Sequence, residues 1–204
     1  MNVIIQFANH LVTAQNIHQL GTRELRGSLM VINRTWAMPN SKTFSIKPIG
    51  ELVKRYVSGE KIIVDPFAND CKIGTITNDL NPKFDTTYHL DALDFLKKLD
   101  DESADVVLYD PPYSLRQVKE CYEGVGITVT AEHTKASWRA KHLDEIARVL
   151  KPNGICLSFG WNTNGVGKKR GFEIIEILVV AHGGSKNDTL CTVEKKVEYD
   201  SSSA

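Results

Sequence analysis

The sequence predicts an α/β domain built on one mostly parallel sheet of seven strands, with helices on both faces. Two observations lead to this fold class. From residue 61 onward, short apolar runs alternate with helical stretches, which is typical of parallel sheets covered by helices. Four of the apolar runs also lead into an aspartate, and the carboxyl ends of parallel strands meet at one edge of a sheet. We therefore expect these four acids to converge on one crevice.

The apolar runs are closed by acids, prolines and glycines. The clearest is 104–110, which stops at a double proline, and the run 61–65 is also followed by a proline. The last two runs are expected to form an antiparallel pair at one edge of the sheet. The predicted strands cover residues 61–65, 75–79, 86–90, 104–110, 155–159, 172–180 and 189–197.

Helices are predicted in two segments. Residues 48–57 place apolar side chains on one face, and Pro48 suits the first turn. Residues 133–150 carry apolar side chains at three- and four-residue spacing, and the sequence Pro-Asn-Gly at 152–154 should end this helix. The segment 114–130 has no strong period and contains two glycines, so we expect a mobile loop that closes over substrate.

Length and composition fit one globular domain. The chain has 204 residues, of which 42% are hydrophobic, enough for a sizeable core. We expect an N-terminal extension over 1–40, whose structure the sequence does not predict, the main domain over 41–199 and a frayed polar tail over 200–204. The segment 16–34 carries three arginines and could be a small recognition or dimerisation element, although a plain packing extension is the simpler interpretation.

Charge and cysteine content restrict the partners and the compartment. Twenty-five basic and 25 acidic side chains cancel, so a nucleic-acid contact must be local or shared with a partner. The four cysteines lie far apart, which disfavours structural zinc and a disulfide framework. The start of the chain lacks a secretion-signal pattern, and no apolar run approaches the length of a membrane span. We therefore expect a cytoplasmic protein without membrane contact.

The turn Asp110-Pro111-Pro112-Tyr113 carries the strongest chemical signal. An aromatic amino group is a poor nucleophile because its lone pair is delocalised into the ring, so an enzyme that methylates it must hold both amino protons with acceptors. The two prolines restrict the backbone and would aim the Pro111 carbonyl beside the Asp110 carboxylate. Tyr113 would offer the base a face for stacking. The alternative is a plain strand-to-loop turn, since Asp and Pro are both turn residues.

With this turn and the acids at the strand ends, the chain resembles the amino-methyltransferase group of S-adenosylmethionine-dependent enzymes, particularly DNA adenine methylases with an Asp-Pro-Pro-Tyr motif. The resemblance covers residues 40–197 and implies a Rossmann-like methyltransferase fold. It implies catalytic roles for Asp110, Pro111, Pro112 and Tyr113. It implies S-adenosylmethionine binding by Phe44, Ile46, Lys47, Asp65, Phe67, Ala68, Asp79, Asp91 and Ala92.

Each matched segment has a stated role in the family. Residues 44–48 resemble the segment that helps to hold methionine, and residues 65–68 resemble the cofactor loop after the first strand. Asp79 matches the acid that grips the ribose hydroxyls, and a carboxylate can accept from both of them. Asp91 matches the acid near the cofactor's adenine. Any one of these acids alone could be a solvated surface carboxylate, whereas four at successive strand ends favour a site.

The loop after Asp65 departs from the family pattern, which often has glycines at the fifth and seventh positions of Asp-Pro-Phe-x-Gly-x-Gly. Here those positions hold Asn69 and Cys71. Asn69 can replace glycine in part, because asparagine tolerates positive φ. Asp70 would add negative charge near the cofactor carboxylate if it pointed inward. The departure allows for weakened cofactor affinity, or for a loop that a partner orders.

A glycine-rich segment at 160–171 is the candidate substrate loop, because it follows a strand that should end at the same edge as Asp110. Its basic residues could contact phosphates, and its tryptophan or asparagine could border the target base. The candidates are Trp161, Asn162, Lys168, Lys169 and Arg170. A second group of basic residues lies in and after the segment 114–130, and its interpretation as a solvated helix face is equally good. Its members are Arg116, Lys119, Lys135, Arg139 and Lys141. No histidine spacing indicates a metal site, and the chemistry needs no metal.

We therefore expect methyl transfer from S-adenosylmethionine to an exocyclic amino group, with adenine N6 in DNA as the first hypothesis. The same chemistry on adenine in RNA, cytosine N4 in DNA or a protein glutamine amide stays open. So does a catalytically silent cofactor-binding subunit of a heteromeric methylase. No separate target-recognition domain is evident, so a protein partner or a second copy in a homodimer could supply recognition.

Overall fold

The computed structural model describes residues 5–7, 10–12, 30–184 and 186–197. The predicted tail at 200–204 and most of the segment 16–34 lie outside the described residues. Two short strands, β1 (Ile5–Phe7) and β2 (His10–Val12), pair antiparallel as a separate two-stranded sheet.

The main sheet confirms the predicted fold class. Its seven strands lie in the order β3-β8-β9-β7-β6-β4-β5, and β9 alone runs antiparallel to its neighbours. The strands are β3 (Val31–Trp36), β4 (Ile63–Asp65), β5 (Ile76–Thr77), β6 (Ala104–Tyr109), β7 (Leu150–Gly160), β8 (Phe172–Ala181) and β9 (Thr189–Lys196).

Helices cover both faces of the sheet. Successive residues of the central strand β6 point to opposite faces, and each face packs against different helices. Val106 and Leu108 pack in one core cluster with side chains of α1, such as Leu52. Val107 and Tyr109 pack in the other cluster with side chains of α2 and α5. The helices are α1 (Lys47–Val57), α2 (Ala92–Lys97), α3 (Leu115–Glu123), α4 (Ala131–Thr134) and α5 (Ala136–Val149). Among the described helices, none combines the length and the apolar character that crossing a membrane requires.

Two strand predictions were wrong in detail, although the total of seven is the same. The segment 86–90 makes only an isolated bridge, Asn78 to Tyr88, because most of its side chains are exposed and give a strand nothing to bury. The seventh strand is instead β3, which lies within the predicted extension 1–40 and pairs in parallel with β8. The sheet therefore begins before the predicted boundary at residue 41, and the β8–β9 pair is not at the edge.

Two further corrections concern helices. The segment 114–130 holds the helix α3 rather than a loop, and a reciprocal capping box between Ser114 and Gln117 begins it. The predicted helix over 133–150 is divided into α4 and α5. It ends before residues 152–154, because Leu150 already starts β7. The turn residues at 152–154 lie in an irregularity of β7, where Leu150 pairs with Ala104 of β6 and the next paired residue, Ile155, pairs with Val106.

Candidate active site

A cleft of about 530 Å³ lies at the carboxyl ends of β4, β5 and β6. This is where open parallel sheets bind ligands, and the volume is that of a small-molecule site. The segment before α1, the loops after β4 and β5, the turn 110–113 and α3 form its walls. The lining residues are Asn40, Ser41, Thr43, Pro66, Phe67, Asn69, Asn78, Asp79, Leu80, Asn81, Phe84, Leu90, Ala92, Asp110, Pro111, Pro112, Tyr113, Gln117, Glu120, Cys121, Tyr122, Gly124 and Val125.

All four residues of the turn 110–113 line the cleft, as predicted for a common site. The Tyr113 hydroxyl donates a hydrogen bond to the Asp110 carboxylate. Burial raises the pKa of Asp110, whereas hydrogen bonds from Tyr113 and Thr43 lower it. The Tyr113 backbone N–H donates to Gln117 Oε1 at 2.6 Å, which fixes the turn to the first turn of α3. The carboxylate is therefore held in one position beside the cleft.

An aromatic pair borders this turn. The rings of Tyr113 and Trp161 meet edge to face with centroids 5.8 Å apart, and Trp161 is 43% exposed. Since Gly160 ends β7 beside the end of β6, the start of the candidate substrate loop does lie next to Asp110, as predicted. Asn162 accepts a hydrogen bond from the Asn164 N–H within the same loop.

Asp79 lines the cleft and joins two of its loops. Its Oδ2 accepts from the Asn69 N–H at 2.9 Å, and its Oδ1 accepts from the Asn81 N–H at 2.8 Å. Each carboxylate oxygen has a second lone pair, so the group retains capacity to accept hydroxyl donors from a ligand.

The loop after β4 has a left-handed residue at the first of the two positions where the family pattern has glycine. Asn69 adopts φ 50°, the left-handed conformation that glycine would otherwise supply. Asp70 forms an ion pair with Lys42 at 2.6 Å, and both side chains are mostly exposed. The hydrogen bond from Lys42 lowers the pKa of Asp70. The negative charge of Asp70 is therefore paired at the surface rather than directed into the cleft.

Asp65 lies beneath the cleft rather than on its wall. It is fully buried, and its Oδ1 accepts from the Phe67 N–H at 3.1 Å. Among the described residues, its Oδ2 has no hydrogen-bond partner. Burial, together with the nearby carboxylates of Asp110 and Asp79, raises the pKa of Asp65 to about 8. Asp65 is thus a buried carboxyl group with one oxygen still to be satisfied.

Both carboxylate oxygens of Asp91 accept hydrogen bonds from residues around the cleft. It caps α2 by accepting from the Leu93 N–H at 2.9 Å, and it also accepts from the Tyr122 hydroxyl. Tyr122 and Ala92 line the cleft, whereas the Asp91 side chain stands behind them. Of the residues predicted to bind the cofactor, the lining ones are Phe67, Asp79 and Ala92.

Four other predicted cofactor residues lie away from the lining. Ile46 is buried in the core and Phe44 packs against it, with the Phe44 ring 5.0 Å from that of Phe159. Lys47 is exposed at the start of α1, and Ala68 is buried. The apolar side chains turn inward because they seal the start of α1 against the sheet. Their polar predecessors line the cleft instead, namely Asn40, Ser41 and Thr43.

The predicted placement of Lys168, Lys169 and Arg170 at the active edge was wrong. The loop crosses from the carboxyl end of β7 to the amino end of β8. Gly160 pairs with Leu190 and Phe172 with Lys196, so the ends of the loop are separated by about six residues of β9, roughly 20 Å. Arg170 is also engaged in structure, because it pairs with Asp144 at 2.7 Å.

Sequence reasoning missed two features of the cleft. Asn78 is buried, and its side chain donates to the carbonyls of Pro66 and Leu90 at 3.1 and 3.0 Å, so it fastens the loops after β4 and before α2. One wall of the cleft comes from α3. The signal for α3 was present as Ser114-x-x-Gln117, a capping-box pattern. Among the described residues, no group of three or more metal-ligating side chains converges on a common point.

Comparison with known proteins finds a relative that is similar over part of the chain. No protein-family model matches the chain. The type II methyltransferase M.BamHI of Bacillus amyloliquefaciens is 37% identical over 79 residues, which is 37% of this chain and 18% of that protein. The match therefore spans less than a fifth of the relative's length.

Solved structures show the same fold. The 1,6-didemethyltoxoflavin-N1-methyltransferase of Burkholderia thailandensis, crystallised with bound 1,6-didemethyltoxoflavin and S-adenosylhomocysteine, superimposes with a TM-score of 0.50 and 11% identity over 74% of this chain and 78% of that one. TrmN from Thermus thermophilus gives a TM-score of 0.50 and 17% identity over 74% of this chain and 49% of that one. These likenesses identify the architecture as a Rossmann-like methyltransferase fold.

Proposed function

We propose that the protein transfers the methyl group of S-adenosylmethionine to an exocyclic amino group, with adenine N6 of DNA as the substrate. The observation that carries the proposal is the Asp110 carboxylate, held by Tyr113 in a double-proline turn on the wall of the cleft. The partial relative is a type II methyltransferase, which supports DNA as the substrate. Since DNA and this cofactor are both found inside cells, a cytoplasmic location is part of the proposal.

The residues of the cleft fit S-adenosylmethionine. Asp79 offers a carboxylate for the ribose hydroxyls, and Phe67 offers an apolar surface. Asn69 takes the positive φ that the loop requires, and the unsatisfied Oδ2 of Asp65 marks a buried polar atom next to this loop. When bound, the cofactor supplies an electrophilic methyl group. The solved neighbour with S-adenosylhomocysteine supports this choice of ligand.

Asp110 and the Pro111 carbonyl act as acceptors for the two protons of the target amino group. Holding both protons favours a pyramidal nitrogen with an available lone pair, and the rigid turn keeps the acceptors in place. The hydroxyl of Tyr113 orients the carboxylate, and hydrogen bonds from Tyr113 and Thr43 oppose the rise in its pKa caused by burial. Trp161 and the ring of Tyr113 provide an apolar border for the base. Catalysis comes mainly from positioning and electrostatics.

The conformation of Asn69 weakens one argument for the silent-subunit hypothesis. That argument depended on the missing glycines after Asp65, yet Asn69 adopts the conformation that glycine would take. The charge of Asp70 would weaken cofactor binding if it pointed into the cleft, but Asp70 pairs with Lys42 instead. Both findings favour a loop that binds the cofactor without help from a partner.

The deciding experiment combines calorimetric titration with S-adenosylmethionine and transfer of a tritiated methyl group to unmethylated genomic DNA. Asp110→Ala should bind the cofactor within about twofold of wild type and lose transfer by at least about a hundredfold, the usual scale for removing such an electrostatic group. Asp94→Ala, an exposed acid on α2, is the matched control and should retain full transfer.

Each failure has a separate meaning. Wild-type protein that binds no cofactor would refute the enzyme assignment. Binding with transfer to RNA or to a protein amide, and none to DNA, would refute the substrate alone. Recovery of N4-methylcytosine rather than N6-methyladenine from digested DNA would keep the mechanism and change the base.

A further inference from the structure

Arg139, in the first turns of α5, reaches the same edge of the sheet as the turn 110–113. Its guanidinium carbon lies 5.4 Å from the centre of the Tyr109 ring, and Tyr109 directly precedes Asp110. Gly160 lies between the arginine and the turn. A Cβ placed on Gly160 would be 4.0 Å from Arg139 Nη2 and 3.9 Å from Tyr113 Cδ1. The guanidinium therefore lies within about 8 Å of the Tyr113 ring, which borders the proposed base site.

The guanidinium lacks an anionic partner within the part of the chain that the structure describes. No hydrogen bond or ion pair joins it to another described residue, although the side chain is half-buried. Other arginines of the helices differ in this respect. Arg116 pairs with Glu120 at 2.7 Å and Arg148 pairs with Asp101 and Glu145. Partial burial of a charge costs free energy, and contact with an aromatic face offsets only part of that cost.

The chemistry of this position points to an anion that arrives with the substrate. Guanidinium groups carry donors in a planar fork that matches phosphate oxygens. The absence of net charge on the chain means that a nucleic-acid contact must be local, and Lys168, Lys169 and Arg170 lie away from this edge. The side chain of Arg139 is a cation near Tyr113 and Trp161 that has donors available for such a contact.

We propose that Arg139 binds a backbone phosphate of the DNA strand whose base enters the turn 110–113. The proposal rests on the proposed function, because it requires a nucleic-acid substrate. Contact with the phosphate would hold the nucleotide while its base lies against the Tyr113–Trp161 pair, with its amino group at Asp110. Arg139 is therefore a binding residue and takes no part in proton movement.

The test is the salt dependence of DNA binding by the full chain. Fluorescence anisotropy of a labelled random-sequence DNA duplex measures the binding constant at a series of KCl concentrations. The binding constant K falls as salt rises, and Arg139→Gln should make the slope of log K against log salt shallower by about 1, the contribution of one phosphate contact. Its KM for DNA should rise about tenfold, a typical effect for one charged contact. Arg139→Lys keeps the charge and should retain most of the slope.

Lys97→Gln is the matched control, because it removes one exposed cation at the far end of α2 and should leave slope and KM unchanged. Calorimetry with S-adenosylmethionine should give wild-type affinity for Arg139→Gln, which shows that the fold and the cofactor site are intact.

Three outcomes would overturn the proposal. An unchanged slope with an unchanged KM in Arg139→Gln, while wild type methylates DNA, would refute the phosphate contact and leave the proposed function standing. An unchanged slope with altered preference among DNA sequences would assign Arg139 to a base edge instead. Wild-type protein that binds the cofactor but neither binds nor methylates DNA would refute the proposed function, and this inference with it.

Discussion

The Tyr113 hydroxyl donates a hydrogen bond to the Asp110 carboxylate, so the last residue of the double-proline turn holds the first. The backbone N–H of Tyr113 is in turn bound by Gln117 of α3. Asp110, the proposed hydrogen-bond acceptor for the target amino group, is thus positioned by two contacts that originate outside β6. This arrangement makes Asp110 rigid, and it also makes the acidity of Asp110 depend on Tyr113.

Removal of this hydroxyl should shift the pH dependence of methyl transfer. Tyr113→Phe keeps the ring beside Trp161 but deprives Asp110 of a donor that lowers its pKa. Transfer requires the ionised carboxylate, so activity falls on acidification through this pKa. A hydrogen bond to a charged group contributes about 1.5 kcal/mol, so the acid limb of single-turnover transfer should move up by about one pH unit.

Tyr122→Phe is the control for that shift, since the Tyr122 hydroxyl donates to Asp91 rather than to Asp110. Its acid limb should coincide with that of wild type. Coincident limbs for Tyr113→Phe and wild type would show that the hydrogen bond does not govern the reactive carboxylate.

Loss of the Asp79 carboxylate should weaken cofactor binding. Asp79→Ala removes the proposed acceptor for the ribose hydroxyls and also releases the N–H groups of Asn69 and Asn81. Hydrogen bonds to charged groups contribute about 1.5–3 kcal/mol each, so the calorimetric Kd for S-adenosylmethionine should rise about 10- to 100-fold. Asp79→Asn keeps one carbonyl oxygen, so its Kd should lie between those of wild type and Asp79→Ala. Equal affinity in all three proteins would remove Asp79 from the site.

The backbone conformation of Asn69 can be tested by paired substitutions. At φ 50°, Asn69→Gly should change the free energy of unfolding by less than about 1 kcal/mol, since glycine adopts this conformation freely. Asn69→Ala should lower it by about 1 kcal/mol, because a Cβ without a polar side chain is disfavoured there. Urea denaturation of the two variants measures the difference. Alanine as stable as glycine would argue against the left-handed conformation.

Asp65 should make stability depend on pH. Its pKa is about 8 in the folded chain and near 3.8 when exposed, so between these values the folded state holds a proton that the unfolded state has lost. The free energy of unfolding should therefore fall as pH rises through this window, by up to about 1.4 kcal/mol per pH unit. Asp65→Asn cannot titrate, keeps an acceptor for the Phe67 N–H, and should escape this fall.

Urea denaturation without cofactor at pH 5 and pH 8 measures the effect. The stability of Asp65→Asn relative to wild type should increase between these two pH values. Other acids with raised pKa, such as Glu194, are present in both proteins and cancel in the comparison. Parallel behaviour at both pH values would show that Asp65 is ionised in the folded protein.

Much of the fold could be predicted because its elements have strong local patterns. The strand β6 is apolar apart from Asp105 and is buried on both faces, and α1 buries Ile49, Leu52 and Val53 at helical spacing. The strand β3 has no such pattern, because most of its side chains are exposed and none is fully buried. It joins the sheet through backbone pairing with β8, and backbone pairing leaves little trace in a sequence.

The candidate site divides in the same way. The turn 110–113 could be identified because its chemistry belongs to consecutive residues. The part of α3 that lines the cleft could not, because this short helix buries only Val118 and Tyr122, and its capping pattern was the clearer signal. Lys168, Lys169 and Arg170 were misplaced because the position of a loop's end depends on the pairing of the strand that follows it.

By itself, the sequence determined the fold class, the turn at Asp110 and the acid at Asp79, because apolar periodicity and consecutive motif residues are local properties of the chain. Only the tertiary structure decided which of the predicted residues line the cleft, that Lys42 pairs with Asp70, and that Arg139 lies beside Tyr113. The physical reason is that these relationships join residues far apart in sequence, and the pairing and packing of whole strands and helices sets the distances between them.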